Sequence, residues 1–249
     1  MVFHGVDFSS APSSMKPIVI VSANGPVADC VTKIHSLTEF ETWLKTAEGI
    51  VGIDSPFGYP VEFCGTLFPE MDWNGIAKEL GRIAPDQSLR VLEERVTAFR
   101  EVRPLGTKEP KRLTDQHSNA FSSMKFGRPP VGRMAARLLP ILERSAHSIL
   151  PVRPKDSQTT VVEVFPGKLV RDAIGRESYK AEKGNEEIRQ TIFERLGLKA
   201  SPDVREAAIR DSEGDVLDAL IAVDQIRAWY SNGCQMPTLP ITKLEGWII

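Results

Sequence analysis

The sequence has no cysteine framework. Cys30, Cys64 and Cys234 are odd in number and widely spaced, which excludes a disulfide scaffold and shows no metal-ligand spacing. They read as buried thiols of a reducing compartment. Long apolar runs are also missing: none approaches about 18 residues, so no membrane span is expected. The start of the chain shows no charged-then-apolar leader. Together these absences predict a soluble, cytoplasmic protein. Aromatic residues make up only 7%, and Trp43, Trp73, Trp229 and Trp247 do not interleave with the basic stretch, which argues against base stacking. There is no internal repeat and no low-complexity tract.

What is present suits an ordinary globule. An apolar share of 41% and a charged share of 26% in 249 residues can bury a full core, either as one large domain or as a core with an insertion. The net charge of −2 conceals a local bias, because Arg100 to Arg137 holds nine Lys/Arg against three acids. A basic patch on a chain with an acidic site suits a polyanionic substrate.

The pattern predicts a strand over Val2 to Asp7, broken by the Ser-rich segment from Ser9 to Ser14. A second strand is expected at Pro17 to Ser22, then a sharp turn at Asn24-Gly25 and a third strand at Ala28 to His35. Ser36 and Glu39 form a capping box for a helix with Leu37, Phe40, Leu44 and Ala47 on one face. Gly49 stops that helix before a strand ending at Asp54, apolar on both faces as buried parallel strands are. Residues 62–155 read as a helical and loop insertion within a single domain over 1–249. One of its helices carries Leu89, Leu92, Val96 and Phe99. Another carries Met134, Leu138 and Leu142 and is kinked at Pro140. A long, mobile loop from Pro104 to Pro130 separates them. A fifth strand, Thr159 to Phe165, is ended by Pro166-Gly167. Helices follow on Ile188, Ile192 and Leu196, from Ser201-Pro202, and from Ser212 to Ser231.

Four aspartates stand out. Asp7 and Asp54 end apolar strands, while Asp215 and Asp218 lie in an otherwise apolar helix, three apart and therefore on one face. Buried carboxylates need partners, and four together repel unless a cation neutralises them. Three of them also have a plainer role: an Asx-turn for Asp7, a turn cap for Asp54, a favourable first-turn charge for Asp215; Asp218, a turn further in among apolar neighbours, is harder to dismiss. If the two strands are parallel neighbours, Asp7 and Asp54 emerge together at the carboxyl edge of the sheet. Mg²⁺ or Mn²⁺ is the expected cofactor, since hard cations take carboxylate, water and phosphate oxygens. Two ions about 4 Å apart would activate water and stabilise the leaving oxygen of a phosphodiester. Asp7 would bridge them, with Asp54 on one and Asp215 or Asp218 on the other. Glu163 is a fifth candidate, or a partner of Lys168 or Lys180.

The segments Gly5-Val-Asp-Phe-Ser-Ser10, Gly52-Ile-Asp-Ser-Pro-Phe-Gly58, Arg112-Leu-Thr-Asp115, Glu163-Val-Phe-Pro166, Gly214-Asp-Val-Leu-Asp-Ala-Leu220 and Glu245-Gly-Trp-Ile248 run in order along the chain. With acids on the first and fourth strands and on a late helix, the set resembles the ribonuclease H-like superfamily. In site layout it is similar to the Holliday-junction resolvase branch, and more closely to an uncharacterised family of predicted RNase H-like nucleases. The resemblance implies an α/β fold with a five-stranded mixed sheet flanked by helices, a helical insertion after the fourth strand, and Asp7, Asp54, Asp215 and Asp218 as metal ligands. The expected activity is metal-dependent hydrolysis of phosphodiester bonds in DNA or RNA. Substrate contacts are expected from Arg112 and Asp115, which place a phosphate or lock the loop, and from Lys125, Arg128 and Arg133 on backbone phosphates. His117 is a candidate proton relay. A branched substrate would favour a homodimer.

Two other classes compete. An ATP-dependent phosphotransferase of related fold would also place an Asp and small polar residues after its first strand, but it needs a second copy of the fold and a Gly-rich loop that this chain lacks. A non-catalytic module would bind metal for stability alone.

Overall fold

The structure is a computed structural model that describes residues 1–84, 89–175, 177–180 and 185–249. Residues 85–88 of the expected insertion lie outside the described residues. The chain divides into two compact units, one formed by Met1–Asp54, Gln158–Gln235 and Ile249, the other by Ser55–Ser157 and Met236–Ile248.

The first unit opens with β1 (Val2–Asp7), β2 (Ile18–Asn24) and β3 (Cys30–Ile34), followed by α1 (Leu37–Thr46) and β4 (Gly49–Asp54). The Ser36 hydroxyl accepts from the Glu39 amide, and the Glu39 carboxylate accepts from the His35 amide. The Ser36 cap therefore forms, while the Glu39 carboxylate takes the amide one residue before the one a capping box uses. The second unit carries α2 (Val61–Leu67), α3 (Trp73–Ile83), α4 (Arg90–Glu101), α5 (Leu113–His117), α6 (Val131–Arg144) and the two-residue β5 (Ser148–Ile149). The first unit then resumes with β6 (Thr159–Glu163), α7 (Pro166–Ile174), α8 (Glu186–Arg195), α9 (Pro202–Arg210) and α10 (Asp215–Ser231). Finally α11 (Thr242–Glu245) returns to the second unit.

The fold is α/β, a mixed sheet flanked by helices. Strand order is β3-β2-β1-β4-β6-β5, six strands where five were expected. The extra one, β5, is too short to leave an alternating pattern in the sequence. β2 runs antiparallel to β1 and β3, while β4 lies parallel to both β1 and β6. The apolar character of β4 follows from that central position, with Ile50, Val51 and Ile53 all buried.

Three local expectations change. Pro166 does not merely end β6 but occupies the first turn of α7, where its missing N–H costs nothing. The segment from Pro104 to Pro130 is not a plain loop, because α5 forms inside it. Of the cysteines only Cys64 is buried; Cys30 is exposed on β3, and Cys234 is half-buried.

The second unit is held by a buried polar lock. Arg112 and Asp115 are 1% and 0% exposed, with the Arg112 Nη2 donating to Asp115 Oδ1 at 2.7 Å and Nη1 to the Glu245 carbonyl at 2.9 Å. The Glu245 carboxylate in turn accepts the amides of Val61 and Leu113, each at 2.8 Å. Gly58 lies so near this point that a Cβ there would stand 2.5 Å from the Leu244 carbonyl.

Packing of α10 on the sheet depends on two glycines. Gly5 and Gly52 are partners in the parallel β1–β4 ladder. A Cβ on Gly5 would stand 2.0 Å from the Ala219 carbonyl and 2.6 Å from the Val223 amide nitrogen, and one on Gly52 would stand 2.6 Å from Ile226 Cγ2. Neither strand offers a side chain at that level, so the helix backbone rests almost on the strands. The Gly5→Ala variant is expected to lose about 3 kcal/mol of stability, since the clash is with backbone that no rotamer relieves; urea denaturation of both proteins checks this.

Candidate metal centre

Side chains alternate along a strand, so Asp7 shares a face with Gly5, and Asp54 with Gly52. That is the face on which α10 lies. Asp7 and Asp54 are direct partners at the ends of parallel strands. One residue before Ala219, the first turn of α10 brings Asp218 to the same place. Carboxylate oxygens of Asp7, Asp54 and Asp218 all lie within 4.8 Å of one another, with Asp218 buried and the other two partly exposed. Among the described residues no other His, Cys, Asp or Glu group of three converges in this way.

Asp215 has a different place. It is buried, and Lys16 Nζ contacts both its oxygens at 2.7 Å. Lys180 bridges the helix pair, 2.5 Å from Asp218 Oδ2 and 3.8 Å from Asp215 Oδ1. The Tyr179 hydroxyl donates to Asp218 Oδ1 at 2.7 Å. Gly214, which caps α10 in the left-handed region at φ +72°, makes room for this arm: a Cβ there would meet the Tyr179 ring and Lys180 Cγ, each at 3.1 Å. The arm is anchored from behind by Asn185, which donates to the Ser178 carbonyl, and by buried Arg189, which donates to the Tyr179 carbonyl at 2.8 Å. Asp211 accepts the Val216 amide at 2.9 Å and so fixes the first turn.

The electrostatics follow from crowding. Burial first, then the charge of Asp218, pushes the Asp54 carboxyl up to about 8, with Lys180 opposing and Glu163 adding to the rise. Asp7 is likewise driven well upward by burial and by Asp215, Asp218 and Asp54, against the pull of Lys180. Against the effect of burial, Asp218 and Asp7 hold the Lys180 ammonium well above the ordinary lysine range. Glu163 is buried at the end of β6, its backbone paired in register with Ile53. Of the two lysines suggested for it, Lys168 pairs with Asp172 and Lys180 with the helix pair.

The remaining predicted residues belong to the second unit. Arg112 and Asp115 are spent on the buried lock within the second unit. Lys125 lies 3.9 Å over the Phe121 ring, Arg133 pairs with Glu93 at 3.0 Å, Arg128 is exposed, and the His117 ring stands beside Trp247. The sequence reading missed Lys16 and Tyr179 altogether. Lys180 entered it only as a partner for Glu163. Nothing in their local sequence marks them, because each meets its carboxylate only through the fold.

Residues 5–240 match the family described as "Protein of unknown function (DUF429)". No curated protein and no solved structure matches the chain. Among the described residues no helix is long and apolar enough to cross a membrane.

The raised Asp54 carboxyl has a definite consequence for the metal-free protein. The folded state holds a proton up to about 8 that the unfolded chain releases near 3.8, so folding binds the proton and stability falls as pH rises through that window. Urea denaturation in EDTA at pH 5 and pH 8 is expected to show lower stability at pH 8, with the difference reduced in Asp54→Asn.

Proposed function

The chain belongs to the DUF429 family, and we propose that it is a divalent-metal-dependent nuclease of ribonuclease H-like fold, hydrolysing phosphodiester bonds of DNA or RNA with Mg²⁺ or Mn²⁺. The observation that carries this reading is the convergence of Asp7, Asp54 and Asp218 within 4.8 Å, at strand ends where α/β sites lie.

The donors suit such an ion. All three are carboxylates, the hard oxygen ligands that Mg²⁺ and Mn²⁺ take, and among the described residues no thiol or imidazole joins them to favour a softer metal. The upward push on Asp7 and Asp54 is the signature of acids short of positive charge, which a divalent cation relieves. A divalent ion held there would supply Lewis acidity to polarise a phosphodiester and to activate water.

The protein's own groups do the positioning. β1 and β4 present Asp7 and Asp54 from neighbouring strand ends. Tyr179 orients Asp218 through its hydroxyl. Glu163 adds negative charge beside Asp54. For the substrate, Lys125, Arg128 and Arg133 remain the proposed backbone-phosphate contacts, which makes binding strongly salt-dependent.

The test is a cleavage screen over single-stranded, duplex and branched DNA and RNA, with Mg²⁺ or Mn²⁺ and with EDTA. Wild type is expected to cleave at least one substrate in a metal-dependent manner. Asp7→Asn and Asp218→Asn should fall to background while keeping a cooperative melting transition. Cleavage by both variants at the wild-type rate would remove the acidic cluster from the chemistry.

A further inference from the structure

Two divalent ions were expected in this pocket, the second held by Asp215 or Asp218. The geometry places ammonium groups where that second ion would sit. Lys180 Nζ bridges the two helix carboxylates, at 2.5 Å from Asp218 and 3.8 Å from Asp215, as a bridging cation would. Lys16 takes both Asp215 oxygens at 2.7 Å. Among the described residues the group able to hold a metal omits Asp215.

We propose that Lys180, supported by Lys16, permanently replaces the second divalent ion, so that the pocket takes a single divalent cation at Asp7, Asp54 and Asp218. This rests on the metal-binding part of the proposed function.

Three features show Lys180 to be built in rather than a passing surface contact. Its segment is pinned by Asn185 and by the buried Arg189 through the carbonyls of Ser178 and Tyr179. Gly214 leaves the space that its Cγ fills. The adjacent Tyr179 hydroxyl takes the other oxygen of the same Asp218 carboxylate. Lys16 is positioned separately, in a turn where its amide donates to the Ser13 hydroxyl at 3.1 Å and its carbonyl accepts the Ser13 amide at 3.0 Å. Each oxygen of Asp218 is engaged once, and a carboxylate oxygen has two lone pairs. Asp218 therefore keeps capacity for one ion on the side of Asp7 and Asp54 while serving Lys180 on the other.

The experiment is a titration with Mn²⁺ alone, read by calorimetry and by the loss of free-Mn²⁺ paramagnetic resonance signal. It uses wild type, Lys180→Met, Lys16→Met and Asp7→Asn at neutral pH. Wild type is expected to bind one Mn²⁺ per chain. Lys180→Met should gain a second site, because the helix carboxylates then lack a cation. Lys16→Met, a change at a half-exposed turn, gives the smaller shift in the same direction and keeps the question open to measurement should Lys180→Met fail to fold. Asp7→Asn should weaken the first site. Two ions on wild type, or lysine variants that bind one ion with unchanged affinity, would overturn the substitution of lysine for metal and leave the metal-dependent reading intact. No binding by wild type would overturn both.

Discussion

The close approach of α10 to β1 and β4 is the constraint on which the rest of the first unit depends. With glycine on both strands at one level, the helix settles until its backbone meets theirs at Ala219 and Val223. Two residues further along each strand come Asp7 and Asp54, and immediately before Ala219 on the helix comes Asp218. A helix held off by ordinary side chains would carry Asp218 outward and separate the carboxylates. The packing of an apolar core thus sets the geometry of a polar site, and Asp7, Asp54 and Asp218 converge because Gly5 and Gly52 have no side chains.

Convergence of that kind is costly unless charge is returned to it. Burial and mutual repulsion raise Asp7 and Asp54, and the protein meets part of the deficit with Lys16 and Lys180. The two lysines do not serve the cluster evenly. They concentrate on the helix pair and leave the strand pair as the place where positive charge is still wanted. In the second unit the opposite holds: Arg112, Asp115 and Glu245 satisfy one another and neighbouring backbone within a closed, buried network. Their charges are committed to holding that unit together.

Much of the local structure was legible. The ends of β1 and β4 at Asp7 and Asp54, the Ser36–Glu39 cap, the Ser201-Pro202 helix start and the placement of Asp215 and Asp218 on one helix face all follow from short-range rules of alternation, capping and helical period. Failures came where a signal is too short or too distant. A two-residue β5 has no periodicity. The segment around α5 reads as loop because its Pro, Gly and Ser content outweighs five helical residues. Cys30 reads as buried because cysteine usually is, whereas β3 exposes it. Arg112 reads as available to a phosphate because the Glu245 carbonyl it binds is 133 residues away.

The sequence by itself determined which residues are candidates for the site, since apolar strands that end in Asp and an apolar helix that carries two are visible without coordinates. Only the tertiary structure decided how those acids divide. Asp7, Asp54 and Asp218 form one group, while Asp215 is tied to Lys16 across 199 positions of sequence. The physical reason is that charge pairing depends on distance in space. Strand register and the closeness of one helix to two strands set those distances, and neither is written in any local window of the chain.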